Sequence, residues 1–321
     1  MEGVTIDDVT KGDVTMATKD PESSQDVQVV WDDPIGREEL QRLRQQNKVD
    51  PETTKDESSV EESSPVDEDE NRISQIIREG KVPSFLISSV TPEQKAEYAS
   101  IIQELGGKYL ERDYFDPSCT HLIVKNPARN EKFLASLSSG KWILHTSYME
   151  ACRSARAFVK EEDYEFGNPS FEWTARNETE ALLVASAYRW RQGLNRGSTG
   201  AFHGWKVILH VSDRHLPGFA RLLECGSGSV VAKSLPYTDP IGGVTHAIID
   251  PNKAKQINSS EIERLVRAGV HCCIPECIAE FLMKSPQPAP ETLYLPIVKS
   301  MIAEFGEVPG SETPSKRRRF N

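Results

Sequence analysis

The chain is poor in cysteine, with six in 321 residues, and no two of them stand in a C-x-x-C spacing. Cys119, Cys152, Cys225, Cys272, Cys273 and Cys277 therefore read as small buried apolar residues. Neither Cys119 with His121 nor the 272, 273 and 277 group offers four ligands at finger-like intervals, so no metal is expected. Long apolar runs are missing too: none approaches the ~18 residues needed to span a bilayer. The charged opening residues 1–20 lack the pattern of a signal peptide. These absences predict a soluble intracellular protein without membrane contact. There is no glycine-rich phosphate loop, no HExxH and no GxSxG, and the seven histidines pair with no nucleophile at a recognisable spacing. Neither an enzyme nor a cofactor is expected.

An excess of positive charge is also lacking. The net charge is -11, and it is unevenly placed. Residues 1–80 hold 22 acidic and 9 basic side chains, whereas the remaining 241 hold 27 and 29. Indiscriminate duplex binding by the whole chain is disfavoured, because such affinity comes from Lys and Arg neutralising phosphates. A local basic site stays open. The acidic segment 1–80 has too few apolar residues to offset chain entropy and is expected to be disordered. Within it, Val27, Val29, Val30 and Trp31 precede Asp32, Asp33 and Pro34, and residues 37–44 read as a short charged helix. Two readings of Trp31 stand: a transient cluster without consequence, or a motif that folds against a partner and buries its indole.

From Pro83 onward short apolar runs alternate with amphipathic stretches, which is the texture of an α/β domain. A strand is expected at 85–87. Thr91, Pro92 and Gln94 then form a capping box with proline at the first helical position. Tyr98, Ile101, Ile102 and Leu105 give that helix one apolar face, and Gly106-Gly107 ends it in left-handed conformations. Strands follow at 108–110 and 121–124, a helix at 130–138 and a strand at 142–144. Ser147 with Glu150 caps a third helix bearing Tyr148, Met149 and Cys152. The order βαββαβα then recurs after a helix-favouring connector at 177–191, which makes it an internal repeat. Residues 205–210 match the first strand, 218–223 the first helix, and Thr245-His246 lines up with Thr120-His121. Residues 262–269 align without gaps on 133–140.

The glycine pair after the first helix, the Thr-His before a strand, and Trp142 ten residues ahead of Cys152 resemble the BRCT repeat. The second copy departs from that pattern, with His271 for the tryptophan and Phe281 for the cysteine. Phe115-Asp116-Pro117, residues 129–132, Gly140-Lys141-Trp142 and residues 161–164 are similar to the tandem BRCT pairs of DNA-damage checkpoint scaffolds. The resemblance implies an α/β fold of two BRCT repeats, each a small parallel four-stranded sheet flanked by helices, after the disordered acidic segment. The expected divisions are 1–80 for that segment, 83–168 and 201–300 for the repeats, 169–200 for a connector with a helix, and 301–321 for a disordered basic tail.

A phosphate held at a strand end beside helix N-termini can use a hydroxyl, backbone amides and a fixed cation together, and the first repeat offers all three. By resemblance to phosphopeptide-binding pairs, Ser88 donates its hydroxyl, the Ser89 amide assists and Lys132 supplies charge. Lys95 and Arg129 are candidates for a second cation. Lys95 stands where the resembled repeats carry arginine, which removes a two-pronged contact. The plainer reading has Ser88 in a turn and Lys132 on a solvated helix. Alignment of the copies places Glu261 opposite Lys132 and His210 opposite Ser88, so the second repeat is expected to bind no phosphate. Its role is then to line the groove that receives residues after the phosphate. Trp205 is expected in the core.

The resemblance also implies partners: phosphorylated checkpoint or repair proteins, a DNA helicase among them, and the ATR kinase complex, engaged through Trp31, Asp32 and Asp33. Lys316, Arg317, Arg318 and Arg319 read either as a nuclear import signal or as a merely solvated basic end. The expected setting is the nucleus, on chromatin at damage or stalled replication sites. The competing expectation is a module that binds DNA ends or single strands without regard to peptide phosphorylation.

Overall fold

The computed structural model describes residues 82–305 apart from 234 and 238–240. The acidic segment, the Trp31 motif and the basic cluster 316–319 lie outside the described residues.

The first repeat runs β1 (Ser84–Ser88), α1 (Pro92–Glu104), β2 (Lys108–Tyr109), β3 (His121–Val124), α2 (Glu131–Ser138), β4 (Trp142–His145) and α3 (Ser147–Ala155). A long helix α4 (Glu178–Asn195) leads to β5 (Lys206–His210), α5 (Leu216–Cys225), β6 (Ser229–Val230), β7 (His246–Ile249), α6 (Pro251–Ala254), α7 (Ser259–Arg267), β8 (His271–Cys273), α8 (Glu276–Met283) and α9 (Pro296–Phe305). The two sheets are parallel, with order β2-β1-β3-β4 and β6-β5-β7-β8. Helix α9 extends past the expected start of the tail at 301.

Local chemistry accounts for several boundaries. Thr91 Oγ1 accepts from the Gln94 amide, and Gln94 Oε1 accepts from the Thr91 amide, so both ends of the capping box close at the start of α1. Only Gly106 is left-handed, at φ 80°, which corrects the expectation for the pair. Gly107 serves close packing, since a Cβ there would lie 2.7 Å from the Phe158 ring. A second correction concerns α3. Its N-cap is Thr146 with no side-chain bond, and Ser147 is the first helical residue. The orphan Ser147 amide donates instead to His145 Nδ1 at 3.2 Å.

Alternation along the first sheet separates two packing faces. Phe85, Ile87, Ile123 and Leu144 pack with Tyr98, Ile102, Tyr148, Met149 and Cys152. Leu86, Leu122, Val124 and Ile143 belong to a core continuous with the second repeat. Helix α2 lies against α5, and the Ser138 hydroxyl donates to the Leu222 carbonyl at 3.2 Å. Gly226 permits this approach, because a Cβ there would meet the Phe202 ring at 2.5 Å and Ser138 Cβ at 3.1 Å. From α4, Arg189 Nη2 and Trp190 Nε1 donate to the Leu282 carbonyl at 2.7 and 2.8 Å, satisfying an end of α8. Arg191 of the same helix is buried, bonded to Glu165 and stacked 3.4 Å from the Trp142 ring centre. The connector therefore grips both repeats.

Candidate anion site of the first repeat

Ser88 is the last residue of β1, one of the two central strands, and only 1% of it is exposed. Ser89 follows in the left-handed region at φ 56°, turning the chain sharply off the sheet toward the Thr91 cap of α1. Across from it, α2 begins at the carboxyl end of β3. Its cap, Asn130, accepts from the Phe133 amide at 2.9 Å and donates through Nδ2 to Ser88 Oγ at 3.3 Å. Lys132, the second residue of α2, is 2% exposed, and its Nζ donates to the Ile87 carbonyl at 3.2 Å. A solvated helix lysine is thereby excluded. An ammonium, a hydroxyl, a side-chain amide and the N-terminus of α2 converge at the carboxyl edge of a parallel sheet. Such a set suits a small anion.

The other two candidate cations each have an acidic neighbour. Lys95 of α1 lies 4.0 Å from Asp113, and Arg129 Nη2 lies 3.2 Å from Glu280 Oε1 of α8 in the second repeat. Arg129 thus bridges the repeats at the edge of the cluster. Among the described residues, no group of three or more His, Cys, Asp or Glu is arranged to hold a metal ion. Burial pushes the Cys119 thiol up to about 12 and those of Cys152 and Cys225 up to about 11, which keeps them protonated and unreactive. No helix of the described residues is long and apolar enough to cross a membrane.

In the second repeat the corresponding place is filled from within. His210 ends β5 in the same register as Ser88 ends β1. Its Nε2 is hydrogen-bonded to the hydroxyl of Tyr237, a side chain 2% exposed. Glu261, on α7, accepts from the Tyr237 amide at 3.2 Å, while Arg264 donates to the Tyr237 carbonyl. A tyrosine thus stands between the residues aligned with Ser88 and Lys132. Burial lowers the His210 pKa and raises that of Tyr237, holding both neutral.

The recurring Thr-His pair has a structural use in both copies. Thr120 Oγ1 accepts from the Ser84 amide at 2.8 Å, and Thr245 Oγ1 from the Lys206 amide at 2.9 Å, each locking the first strand to the third. Asn130 is a site residue that sequence reasoning misses, although asparagine just before an apolar helical run is an ordinary capping signal. Nothing in the local pattern distinguishes Tyr237, since its burial is a property of the folded loop.

Residues 81–153 match the family model described as the BRCA1 C Terminus (BRCT) domain. Both repeats have the BRCT fold. The chain is similar to the SMC5-SMC6 complex localization factor protein 1 of Homo sapiens, with 33% identity over 51% of this chain and 15% of that protein. It is 28% identical to the BRCT domain-containing protein At4g02110 of Arabidopsis thaliana over 63% of this chain and 15% of that one. It therefore spans about 15% of the length of these relatives. Among solved structures, the BRCT5-BRCT6 domains of S. pombe Brc1 align at 16% identity over 63% of this chain and 92% of that one, with a TM-score of 0.45. BRCT domains are typically non-catalytic interaction modules.

Proposed function

We propose that the first repeat binds a phosphorylated peptide and that the chain is a scaffold of the DNA damage and replication checkpoint. The observation that carries the reading is the buried Lys132 ammonium gathered with Ser88 and Asn130 at the end of β1. A phosphate entering there exchanges the neutral Ile87 carbonyl for a dianion as the partner of Lys132, which gives a stronger, charge-assisted bond. The Ser88 hydroxyl and Ser89 amide complete the set, with Lys95 and Arg129 as flanking cations. The second repeat serves by lining the groove for residues that follow the phosphate.

The wider role rests on likeness. Relatives named as SMC5-SMC6 complex localization factors favour a nuclear genome-maintenance setting. The sequence motifs resemble the C-terminal repeats of the topoisomerase-II-binding checkpoint scaffold. In that reading Trp31, Asp32 and Asp33 dock on the ATR complex, and residues 316–319 direct nuclear import.

The test is capture of an immobilised phosphothreonine and phosphoserine peptide library, before and after phosphatase treatment, across a salt series. Retention only on phosphorylated peptides is the expected result. Retention that ignores phosphatase treatment, or steep salt-dependent capture of single-stranded DNA in its place, overturns the reading.

A further inference from the structure

The carboxylate beside the site points across the repeat boundary. Glu131, the first residue of α2, lies between the cap Asn130 and Lys132 and is 1% exposed. Its Oε1 accepts from the Phe115 amide at 2.9 Å and from Arg221 Nε at 2.7 Å, and Oε2 accepts from Arg221 Nη2 at 2.9 Å. Arg221 belongs to α5 of the second repeat, where its guanidinium also lies over the Tyr114 ring, 4.7 Å from the centre. Three consecutive residues of one helical turn thus have three separate tasks. Asn130 holds the Ser88 hydroxyl, Glu131 holds α5 and the loop before β3, and Lys132 holds the end of β1.

We infer that Arg221 of the second repeat is a positioning residue for the anion site of the first, acting through Glu131; this rests on the phosphopeptide reading above. A buried carboxylate keeps its place only while its partner is present, because an unpaired charge in such a setting draws water or moves. Movement of Glu131 shifts its neighbours on either side, and a displacement of about 1 Å is enough to weaken a constellation of this kind. The two-pronged Arg221–Glu131 contact fixes direction as well as distance, which a lysine cannot reproduce.

The experiment compares the wild-type chain with R221M, R221K, E131Q and the double variant E131Q/R221M. Each is titrated against a fluorescent degenerate phosphothreonine peptide library and its dephosphorylated counterpart, with thermal melts alongside. R221M is expected to lower the phosphate-dependent affinity at least tenfold and R221K by less. The double variant should recover most of that loss, because it carries no unpaired buried carboxylate. Recovery separates positioning from direct contact: if Arg221 touches the peptide itself, E131Q cannot restore what R221M removes. Unchanged affinity in R221M, or a loss that E131Q leaves in full, overturns the inference. Should R221M not fold, R221K alone and R221K combined with E131Q are held to the same two outcomes. Failure of the wild-type chain to distinguish the two libraries overturns the phosphopeptide reading itself and this inference with it.

Discussion

The two repeats share strand order, register and the Thr-His lock, yet their cores and crevices are filled by different means. In the first, Trp142 packs beneath Arg191, and a lysine and serine meet at the end of β1. In the second, histidine replaces that tryptophan, and Trp205, from just before β5, stacks 3.7 Å from the ring centre of His246 and packs against Phe281. Phe281 is the residue that stands in place of the first repeat's cysteine. The departures from the repeat pattern are therefore mutually compensating: a ring lost from one strand returns from another segment, and the core stays close-packed. The crevice diverges in the same spirit. One copy keeps polar groups suited to an anion, while the other has its own tyrosine in the corresponding place.

The sharpest way to break this contrast is to remove the second repeat's filling. Tyr237→Ala deletes a buried aromatic and leaves His210 and Glu261 around a cavity, so a loss of about 3–5 kcal/mol in unfolding free energy is expected from urea titration. Phosphopeptide stoichiometry should remain one per chain, because a carboxylate, Glu261, stands where the first repeat has the Lys132 ammonium. A loss below about 1 kcal/mol would mean that the tyrosine is not what closes the second crevice.

The next contrast concerns the charge at aligned positions. Lys132 is buried, so substitution by glutamate would disturb the fold as well as the site, and methionine of similar length is the cleaner change. Lys132→Met should cost about 2–5 kcal/mol of phosphopeptide binding while changing stability by less than about 1.5 kcal/mol. The aligned Glu261→Gln should leave that affinity within about 0.5 kcal/mol of wild type. Calorimetric titration of both variants decides, and equal effects would erase the functional distinction between the repeats.

The last contrast is a difference in acid sensitivity. Burial lowers the His246 pKa to about 3, with a further contribution from His271, and it also lowers the pKa values of His210 and His271. In the first repeat burial lowers that of His145. A histidine held neutral in the folded state stabilises fully above its unfolded value near 6.5, and that stability is lost as pH falls toward the folded value. Each such group contributes at most about 1.4 kcal/mol per pH unit. Between pH 6.5 and 4, strands β5 to β8 should thus lose hydrogen-exchange protection before β1 to β4, and the reverse order would contradict the assignment.

The amphipathic period of α1, the capping box at Thr91 and the repeated Thr-His were legible because each depends on neighbours three or four residues away, or on one strand pairing with the next. Ser88 and Lys132 can be named through likeness to a known repeat, but their burial cannot. Whether a lysine in the first turn of a helix faces water or a carbonyl depends on the strand it meets, here 45 residues earlier. The cap of α3 departs from expectation for a related reason: Ser147 has the right residue type, yet His145 takes its amide.

Hydrophobic period and capping are local, and the order of strands and helices, their duplication and the chemical inventory of each copy follow from them without any knowledge of how the chain closes on itself. Long-range packing was needed to pair Glu131 with Arg221 across the repeats, to bring Arg129 to Glu280, and to set Tyr237 in the crevice where the first repeat presents a lysine. These contacts join residues 90, 151 and 27 positions apart. They form only where packing has excluded water and left each buried polar group to find its partner within the fold.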